Sequence, residues 1–465
     1  MSVFENVDID LLRRYNEPGP RYTSYPTAPV FSKDFGADEF ETAVVDSNVR
    51  DFDHPISLYF HLPFCDTLCY FCACTMIATH NADKKARYLG VLEREIQRMA
   101  RLIDSRRMVA QAHWGGGTPT DYEPEQISWL TNVIRSHFPF MSDEEGEYSC
   151  EIDPRGLTRG HLEALRQGGF NRISMGVQDF DAKVQKAVNR VQPEEMTRQV
   201  VTWVRELGFH SVNLDFIYGL PYQTPETFAP TLEKLVNIRP DRIAVFNFAF
   251  VPWLKKHHEQ LIDPGTLPGV EARLEILKMT IERLSAAGYV YIGMDHFALP
   301  DDELAAALTS RTLHRNFQGY STRAECDLYG LGMSGISQLD RAYAQNYKTL
   351  EEYYDAVEAG RMPTVCGYAL DDDDRLRREV IMRIMCDNAL NKRSVEAQFG
   401  IEFDTYFRSA IGKLQRFVDD GLVIPDEDGF EVTEVGRLVI RNIAMCFDRY
   451  LDELRRDKPV FSRTV

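Results

Sequence analysis

Between residues 56 and 248 the chain repeats one pattern, in which a short apolar run is followed by a longer stretch with helical periodicity. The apolar runs predict strands at Ile56–His61, Ala110–Trp114, Tyr148–Ile152, Arg172–Val177, Ser211–Ile217 and Arg242–Phe248. The intervening stretches predict helices at Lys84–Leu102, Pro124–His137, Arg159–Gly168, Glu194–Leu207 and Pro225–Ile238. Strands that alternate with helices at this spacing form parallel sheets. The pattern therefore predicts an α/β fold whose six units suit a partial (β/α)6 barrel.

The pattern is weaker before this core, in residues 1–50. Gly19-Pro20 and Pro26 prevent one continuous helix there, so we predict an N-terminal arm. The arm carries Arg21, Tyr22 and Tyr25 within five residues, which is unusual for an idle tail. We expect the arm to fold over the active site, and the alternative is a surface lead-in.

After the core we predict a catalytic domain that extends to residue 362 and a C-terminal helical domain at 363–465. Val270–Ala287 predicts a helix and Tyr289–Met294 a strand, whereas the segments GMDHFA and LHRNFQGY predict loops. The polar passage Pro363–Asp374 predicts the boundary, so residues 51–362 form the catalytic domain together with its extension.

The C-terminal domain has the pattern of a winged helix. Helices are predicted at Leu376–Ala389, Ser394–Gln398 and Phe403–Asp419, followed by a hairpin within Leu422–Thr433. Asp428-Gly429 marks the hairpin turn, and Thr433 is expected to cap a last helix that carries Cys446. Acidic residues outnumber basic ones in this domain, so DNA binding is disfavoured as an alternative.

Composition and charge narrow the class of protein. The chain has 465 residues and a net charge of −18, which disfavours nucleic acids and anionic membranes as partners. No secretory signal and no membrane span is expected from the sequence. Outside residues 61–76 the cysteines are scattered singly, which is typical of reduced thiols in a cytoplasmic protein.

The stretch HLPFCDTLCYFCACTM at His61–Met76 holds the candidate chemistry. Cys65, Cys69 and Cys72 have the spacing C-x3-C-x2-C, and three thiolates that turn to one point favour an iron–sulfur cluster, zinc or copper(I). Cys74 follows Cys72 by only two residues, so we interpret it as a spare thiol and not as a fourth ligand. Three ligands on a [4Fe–4S] cluster leave one iron open for chemistry. The alternative is a zinc loop or unrelated buried cysteines.

Polar and glycine landmarks follow the predicted strands at their carboxyl ends, where the active sites of such sheets lie. In strand order they are the cysteine loop, Gly115–Gly117, Glu151, Gln178, Asp215 and Ala249. The glycines permit close backbone approach, with a plain tight turn as the alternative. Acids at strand ends can hold ribose hydroxyls.

The motifs together resemble one family. C-x3-C-x2-C is the signature of the radical S-adenosylmethionine (SAM) enzymes, and its flanks are similar to those of the oxygen-independent coproporphyrinogen III oxidases. The resemblance extends through NEPGPRYTSYPTA, HLPFCDTLCYFCAC, HWGGGTPT, SMGVQDF, DFIYGLP, GMDHFA, LHRNFQGY and RNIAMCFDRYL, in the family's order along nearly the whole chain. It implies a [4Fe–4S] cluster held by the three cysteines and two SAM molecules beside it.

The resemblance also implies the SAM contacts. The first SAM is expected at Tyr59, Gly116, Glu151 and Ile336, and the second at Phe71, Gly117, Thr118, Gln178, Arg190, Asp215 and Ala249. Two residues depart from the family pattern: Ala73 stands where glycine is expected and Thr75 where asparagine is expected. A methyl group at Ala73 restricts the backbone if its φ is positive.

The implied activity is oxidative decarboxylation of two propionates of coproporphyrinogen III to vinyls, which gives protoporphyrinogen IX in anaerobic haem biosynthesis. We expect Cys74, Arg21 and Tyr22 to be catalytic, and Arg21, His314 and Arg315 to hold propionates. A one-electron reductant such as flavodoxin or ferredoxin is the expected partner of a monomer. A paralogue that breaks down haem and a haem chaperone are the alternatives, but Cys74 and the motif RYTSYPT favour the oxidase.

Overall fold

The computed structural model describes residues 8–455 and 461–464. Residues 1–7 of the predicted arm, and residues 456–460 and 465 of the predicted C-terminal domain, lie outside the described residues. The chain divides into two compact units. The cysteine-loop unit comprises Phe31–Phe216 and Glu325–Ala369, and the terminal unit comprises the described residues of Met1–Val30, Ile217–Ala324 and Leu370–Val465.

In chain order, the strands are β1 Ile56–Leu62, β2 Phe64–Cys65, β3 Ile77–Ala78, β4 Val109–Gly116, β5 Glu147–Ile152, β6 Arg172–Gln178, β7 Ser211–Tyr218, β8 Arg242–Asn247, β9 Val290–Gly293, β10 His296–Ala298, β11 His314–Asn316, β12 Gly319–Ser321, β13 Asp327–Leu331, β14 Ile336–Gln338, β15 Ala342–Asn346, β16 Thr364–Ala369, β17 Ala389–Asn391, β18 Val423–Pro425 and β19 Gly429–Val432. The α-helices are α1 Ile9–Tyr15, α2 Ala37–Arg50, α3 Ala82–Leu102, α4 Pro124–His137, α5 Arg159–Gln167, α6 Ala182–Ala187, α7 Glu194–Glu206, α8 Pro225–Ile238, α9 Lys256–Leu261, α10 Val270–Ala286, α11 Glu303–Ser310, α12 Leu350–Glu358, α13 Asp372–Asp387, α14 Lys392–Phe399, α15 Phe403–Tyr406, α16 Arg408–Asp419, α17 Ile440–Ala444 and α18 Leu451–Leu454.

A largely parallel sheet forms the centre of the cysteine-loop unit. Its strand order is β16-β15-β14-β13-β1-β4-β5-β6-β7, in which β13 through β7 run parallel and β14, β15 and β16 are antiparallel. β1 lies between two parallel neighbours and is buried along almost its whole length, which accounts for its near-continuous apolar sequence. The carboxyl ends of the parallel strands therefore share one edge.

A buried glutamate connects helix α3 to the far side of this sheet. Glu95 accepts hydrogen bonds from Gly332 N (2.8 Å), Asn346 Nδ2 (2.8 Å) and Tyr353 Oη (2.6 Å). Burial raises its pKa to about 7, although these three donors oppose the shift. The helix is thereby joined to the chain segment that follows β13.

In the terminal unit, strands β8, β10 and β9 pair in that order and are antiparallel. Strands β11 and β12 form a hairpin, and β17, β19 and β18 form a three-stranded sheet against helices α13–α16. Helix α13 begins at Asp372 because the Asp371 side chain accepts a hydrogen bond from Asp374 N (2.7 Å).

The predicted alternation of strands and helices between residues 56 and 248 is confirmed, with ends that differ by no more than two residues. The predicted hairpin is also confirmed as β18 and β19, although its turn lies before Gly429. Thr433 Oγ1 does accept a hydrogen bond from Gly436 N (3.1 Å), but the helix behind it is short, and Cys446 follows helix α17 in a 3-10 turn.

Other predictions were wrong. The motif GMDHFA contains strand β10 and the motif LHRNFQGY contains β11 and β12, so neither is a plain loop. The predicted boundary passage Pro363–Asp374 is not among these errors, because the division between the two units, after Ala369, falls within it; the predicted domain bounds stay a prediction. Within the described ranges, no helix has both the length and the apolar character that crossing a bilayer requires.

Candidate active site

The cysteine loop begins at the carboxyl end of β1 and is closed at its base by backbone pairing. Strands β2 and β3 pair in parallel, so that Phe64 lies opposite Ile77 and Cys65 opposite Ala78. His61 ties the returning chain down, because its Nε2 donates to Thr75 O (2.8 Å) while its Nδ1 accepts from Tyr59 Oη (3.0 Å). This pattern requires the neutral ring, and burial lowers the pKa of His61 accordingly.

The glycine run after β4 forms the seat of this loop. Gly117 N donates to Leu62 O and Thr118 N donates to Phe64 O, both at 2.8 Å. A Cβ atom on Gly117 would lie 2.5 Å from Phe64 O, and one on Gly116 (φ +105°) would lie 2.5 Å from the His61 ring. The glycines are therefore required for close approach, and the main group that they approach is the cysteine loop itself.

The three predicted ligands lie on one side of this closed loop. Cys72 N donates to Cys69 O (3.0 Å), which turns the chain between these two thiols, and Cys65 Sγ lies 3.3 Å from Thr118 Oγ1. Burial raises the pKa of Cys65 to about 12, and the nearby Cys72 and Cys69 thiols add to that shift. Among the described residues, no three His, Cys, Asp or Glu side chains form a ready-made metal site.

Two arginines bracket Cys69. Arg155 Nη2 lies 3.2 Å from Cys69 Sγ and Arg190 Nη1 lies 3.7 Å from it. Asp153 Oδ2 holds both guanidinium groups, at 2.7 Å from Arg155 Nη2 and 2.6 Å from Arg190 Nη1. These contacts fix the position of the Cys69 sulfur between two guanidinium groups.

Cys74 lies beside the predicted ligand Cys72. The two thiols interact by a hydrogen bond, which is the first cause of a raised pKa of Cys74, and its assignment as a spare thiol stays a prediction. Glu151 and Cys65 also act on Cys74. The methyl group of Ala73 causes no backbone strain, because the φ angle of Ala73 is not positive. Thr75 contributes a backbone oxygen to His61, which asparagine would also supply.

A row of polar side chains follows the carboxyl edge of the parallel sheet. Tyr59 stacks on His113, with ring centroids 5.9 Å apart, and His113 Nε2 lies 3.2 Å from Glu151 Oε1. On the next strands, Asp215 accepts from Asn213 Nδ2 (2.7 Å) and from Ser174 Oγ (3.2 Å). The strand register thus places the predicted acids Glu151 and Asp215 on one face.

The two acids differ in charge. Burial opposes ionisation of Glu151, but the His113 ring and Gly116 N together lower its pKa below the usual value. Burial raises the pKa of Asp215 to about 6, an effect that Asn213 opposes and the Glu151 charge increases. The pair therefore offers one firmly ionised carboxylate and one that exchanges a proton near neutral pH.

Gln178 and Arg190 lie at the carboxyl end of β6. Arg190 Nη2 donates to Gly176 O (2.7 Å) and its Nε donates to Gln192 Oε1 (3.1 Å), so every side of this buried guanidinium has a partner. Gln178 has a φ of +71°, and its amide lies beside the Gly176 backbone. The structure thus brings the predicted SAM residues of β6 next to the cysteine loop.

Three further predicted residues belong to the same unit. Thr118 touches Cys65, as described above, and Ile336 begins β14 with its backbone against Gly330, the residue that pairs with Tyr59. Phe71 lies in the turn of the cysteine loop. A polar cavity of about 600 Å3 adjoins the loop and is lined by Cys65, Thr118, Asp153 and Arg155, among others.

The donor set fits the groups that the motif implies. Three thiols on one closed loop, with arginine and hydroxyl donors to two of their sulfurs, match the environment of an iron–sulfur cluster. The ionised carboxylate of Glu151 at a strand end suits a ribose or an amino group. Cys65, Cys69 and Cys72 would hold the cluster, and the polar row would hold SAM.

Other predicted residues belong to the terminal unit. Arg21 forms an ion pair with Asp295 and lines a cavity together with Ala249. Tyr22 is fully buried and its Oη donates to Asp448 Oδ2 (2.9 Å), which gives it a structural contact, while its catalytic role stays a prediction. Burial, followed by Arg383 and Arg378, lowers the pKa of His314 to about 4. The neutral ring is thereby favoured, and the contact of His314 with a propionate stays a prediction.

Sequence reasoning missed several residues around the loop. His61 opens the quoted motif but was not assigned a role, although a histidine two residues before the Pro-Phe-Cys turn was visible there. His113 stands just before the glycine run, and its position on the same strand face as Glu151 follows only from the register of β4 and β5. Asp153 and Arg155 follow Glu151 closely, yet their contact with Cys69 depends on the folded loop.

Comparisons with known proteins agree with this geometry. Residues 59–235 match the model of the radical SAM superfamily, and residues 370–439 match that of the HemN C-terminal domain. The oxygen-independent coproporphyrinogen III oxidase of Pseudomonas aeruginosa is 46% identical and that of Escherichia coli is 47% identical, each over 458 residues and 98% of both chains.

A solved structure shows the same fold. The coproporphyrinogen III oxidase (HemN) from Escherichia coli matches with a TM-score of 0.90 and 46% identity, over 96% of this chain and 99% of that chain. This match confirms the predicted α/β class, with its radical SAM domain and its helical C-terminal domain. The chain belongs to the family of oxygen-independent coproporphyrinogen III oxidases, within the radical SAM superfamily.

Proposed function

We propose that this chain converts coproporphyrinogen III to protoporphyrinogen IX by oxidative decarboxylation of two propionate side chains. The observation that carries the proposal is the cysteine loop seated on the glycine run beside Glu151, in a chain that aligns with oxidases of this name over almost its full length. The names of the relatives favour this reaction over haem breakdown and over a haem chaperone.

A [4Fe–4S] cluster and SAM, when bound, supply the radical that removes a hydrogen atom from a propionate β-carbon. The residues of this chain position those groups. Gly117 and Thr118 fix the loop that carries the ligands, Arg155 and Arg190 hold Cys69, and Glu151 provides a fixed negative charge for the cofactor. Apolar residues bury the strands behind the polar row, which limits water at the reacting groups.

We further propose two SAM molecules for each cluster. Support comes from the two separate groups of predicted contacts, one around Tyr59 and Glu151 and the other around Gln178, Arg190 and Asp215. Tyr59 Oη already donates to His61, and Arg190 has a full set of protein partners, so SAM would reorganise these bonds on binding.

The remaining proposals concern the cellular setting. The cysteines outside the cysteine loop are scattered singly along the chain, which suits a reducing compartment such as the cytoplasm. A monomer that accepts electrons from flavodoxin or ferredoxin completes the proposal, and SAM-dependent chemistry of this type requires such a one-electron donor.

The test is a product assay. Reconstituted, reduced enzyme is incubated anaerobically with SAM and either coproporphyrinogen III or haem, and the pigments are separated by liquid chromatography after oxidation. We expect loss of two CO2 per porphyrinogen and a divinyl product, and no change in haem. A Cys69→Ser chain is the control for chemistry that bypasses the cluster.

Other outcomes contradict the proposal. Ring opening of haem would indicate the breakdown paralogue, and stable haem binding without turnover would indicate a chaperone. Formation of vinyl groups by the Cys69→Ser control would show that the cysteine loop does not carry the reaction.

A further inference from the structure

The terminal unit contains a cavity of about 330 Å3 whose lining combines apolar and basic side chains. The apolar part of the lining includes Phe248, Ala249, Phe250 and Trp253. The basic part comprises Arg21, Arg273 and Arg463. A pocket built in this way suits a ligand that combines flat apolar rings with negative groups.

Two further arginines, Arg315 and Arg441, are bonded to the backbone of arginines that line the cavity. Arg441 Nη2 donates to Gly19 O (3.2 Å) and to Arg463 O (3.0 Å), and Arg315 Nε donates to Arg21 O (3.2 Å). Arg441 is 5% exposed and Arg315 is 2% exposed. We call Arg21, Arg273, Arg315, Arg441 and Arg463 the arginine cluster.

This cluster has little compensating negative charge. Arg21 forms an ion pair with Asp295, but among the described residues no Asp or Glu side chain lies within ion-pair distance of the other four arginines. Arg273 Nε, Arg315 Nη1 and Arg441 Nε are buried without a hydrogen-bond partner. Buried charges without such partners destabilise a protein unless a ligand supplies the missing groups.

Burial and the repulsion between these cations lower the pKa of two of the arginines. Burial, followed by the charges of Arg441 and Arg315, lowers the pKa of Arg21 to about 9. Burial likewise lowers the pKa of Arg441 to about 10. The chain as a whole carries a net charge of −18, so five arginines close together form a local positive region that favours an anionic ligand.

We infer that the arginine cluster and its cavity bind propionate carboxylates of the tetrapyrrole, with a pyrrole ring against Phe248, Phe250 and Trp253. Guanidinium groups hold carboxylates through paired hydrogen bonds, which suits Arg21, Arg273 and Arg463 in the cavity lining. The cavity lies at the lower end of the range of about 300–1,000 Å3 for ligand pockets, so it accommodates one end of the macrocycle.

The inference rests on the proposed function, and it adds Arg273, Arg441 and Arg463 to the residues expected to recognise the substrate. SAM also carries a carboxylate, and Ala249, a predicted SAM contact, lines the same cavity. The binding of porphyrinogen and of SAM must therefore be measured separately.

The test compares arginine variants in the reconstituted enzyme without reductant, so that ligands bind and do not react. Arg273→Gln and Arg463→Gln are the test variants. Arg283→Gln is the matched control, because Arg283 lies on the same helix α10 but bonds to Ala229 O and Glu233 and does not line the cavity. Binding of coproporphyrinogen III, of its tetramethyl ester and of SAM is measured by anaerobic equilibrium dialysis.

We expect Arg273→Gln to weaken coproporphyrinogen III binding at least tenfold and Arg463→Gln, which is exposed, to weaken it several-fold, about what the loss of charge-assisted hydrogen bonds produces. Binding of the ester and of SAM is expected to stay within twofold of the wild-type values, as is every affinity of Arg283→Gln. Thermal unfolding verifies that each variant is folded.

Three results would overturn the inference. They are unchanged porphyrinogen binding by folded Arg273→Gln, equal losses for the acid and its ester, and a loss confined to SAM. If the wild type decarboxylates coproporphyrinogen III and Arg273→Gln binds it normally, this site is wrong while the proposed function stands. A wild type that neither binds nor converts coproporphyrinogen III removes the proposed function itself.

Discussion

Replacement of Gly117 by alanine is expected to displace the cysteine loop from its seat. The new Cβ atom would lie 2.5 Å from Phe64 O and 2.6 Å from Pro63 C, and both are backbone atoms that cannot rotate away. Ordinary van der Waals contact begins near 3.4 Å, so the loop base must move by roughly 0.9 Å. Three backbone hydrogen bonds of 2.8 Å lie at this point, donated by Gly117, Thr118 and Ile77.

The expected cost follows from these contacts. Overpacking of a close-packed site costs about 1–3 kcal/mol, and each weakened hydrogen bond adds about 0.5–1.5 kcal/mol. With all three bonds weakened, we expect the free energy of unfolding to fall by about 2.5–7.5 kcal/mol. Iron and sulfide content should fall well below the wild-type value, since β2 carries Cys65.

The assay combines thermal unfolding of the cluster-free protein with iron and sulfide analysis after anaerobic reconstitution. Gly90→Ala is the control, because a Cβ atom at this exposed helical position has no heavy atom within 4 Å. Alanine there should stabilise the chain by up to about 1 kcal/mol. A Gly117→Ala protein with a full cluster and wild-type stability would refute the assignment of the glycine run as the seat of the loop.

Four further outcomes are expected. Serine at any one of the three predicted ligand cysteines should leave the chain without cluster iron, and a full iron content would remove that cysteine from the ligand set. Cys74→Ser should keep its iron and its [4Fe–4S] absorption but lose most turnover. Loss of iron would show that Cys74 is a ligand, and full activity would show that it has only a packing role. Arg190→Ala or Gln178→Ala should lower the SAM bound per chain while cluster iron is retained, as measured by equilibrium dialysis, and a wild type that binds one SAM contradicts the second site. Burial raises the pKa of Glu95 from 4.5 to about 7, so between these pH values the folded state binds more protons than the unfolded state and stability falls as pH rises. In urea unfolding of the cluster-free protein, the stability of Glu95→Gln should therefore depend less on pH than that of the wild type. Equal slopes of stability against pH would show that Glu95 does not titrate in this way.

The part of the fold that sequence predicts well is the part with local signals. Strands such as β1 are buried apolar runs. Helices such as α4 have apolar residues at helical spacing and begin with a proline in the first turn. The same reasoning located the cysteine loop and Glu151, because the order of strands and landmarks is written in the chain itself.

The missed elements depend on distant partners. β13 is a five-residue strand whose place beside β1 is set by pairing across the chain, and β11 and β12 have only three residues each. Burial and two neighbouring arginines, which only the folded chain brings together, lower the pKa of His314. Local patterns contain no information on such contacts.

The pairing of β1 with β13 has a consequence for biosynthesis. Ile56–Phe60 lie beside Asp327–Leu331 in the sheet, so about 270 residues must be added after β1 before its second neighbour exists. At roughly 5–20 residues per second, this takes roughly 15–55 s on the ribosome. During that interval one edge of a strongly apolar strand has open hydrogen-bonding groups, which is the condition that promotes aggregation. The open edge of β1 in the nascent chain therefore favours aggregation, unless a chaperone covers it, until Leu331 has left the ribosome.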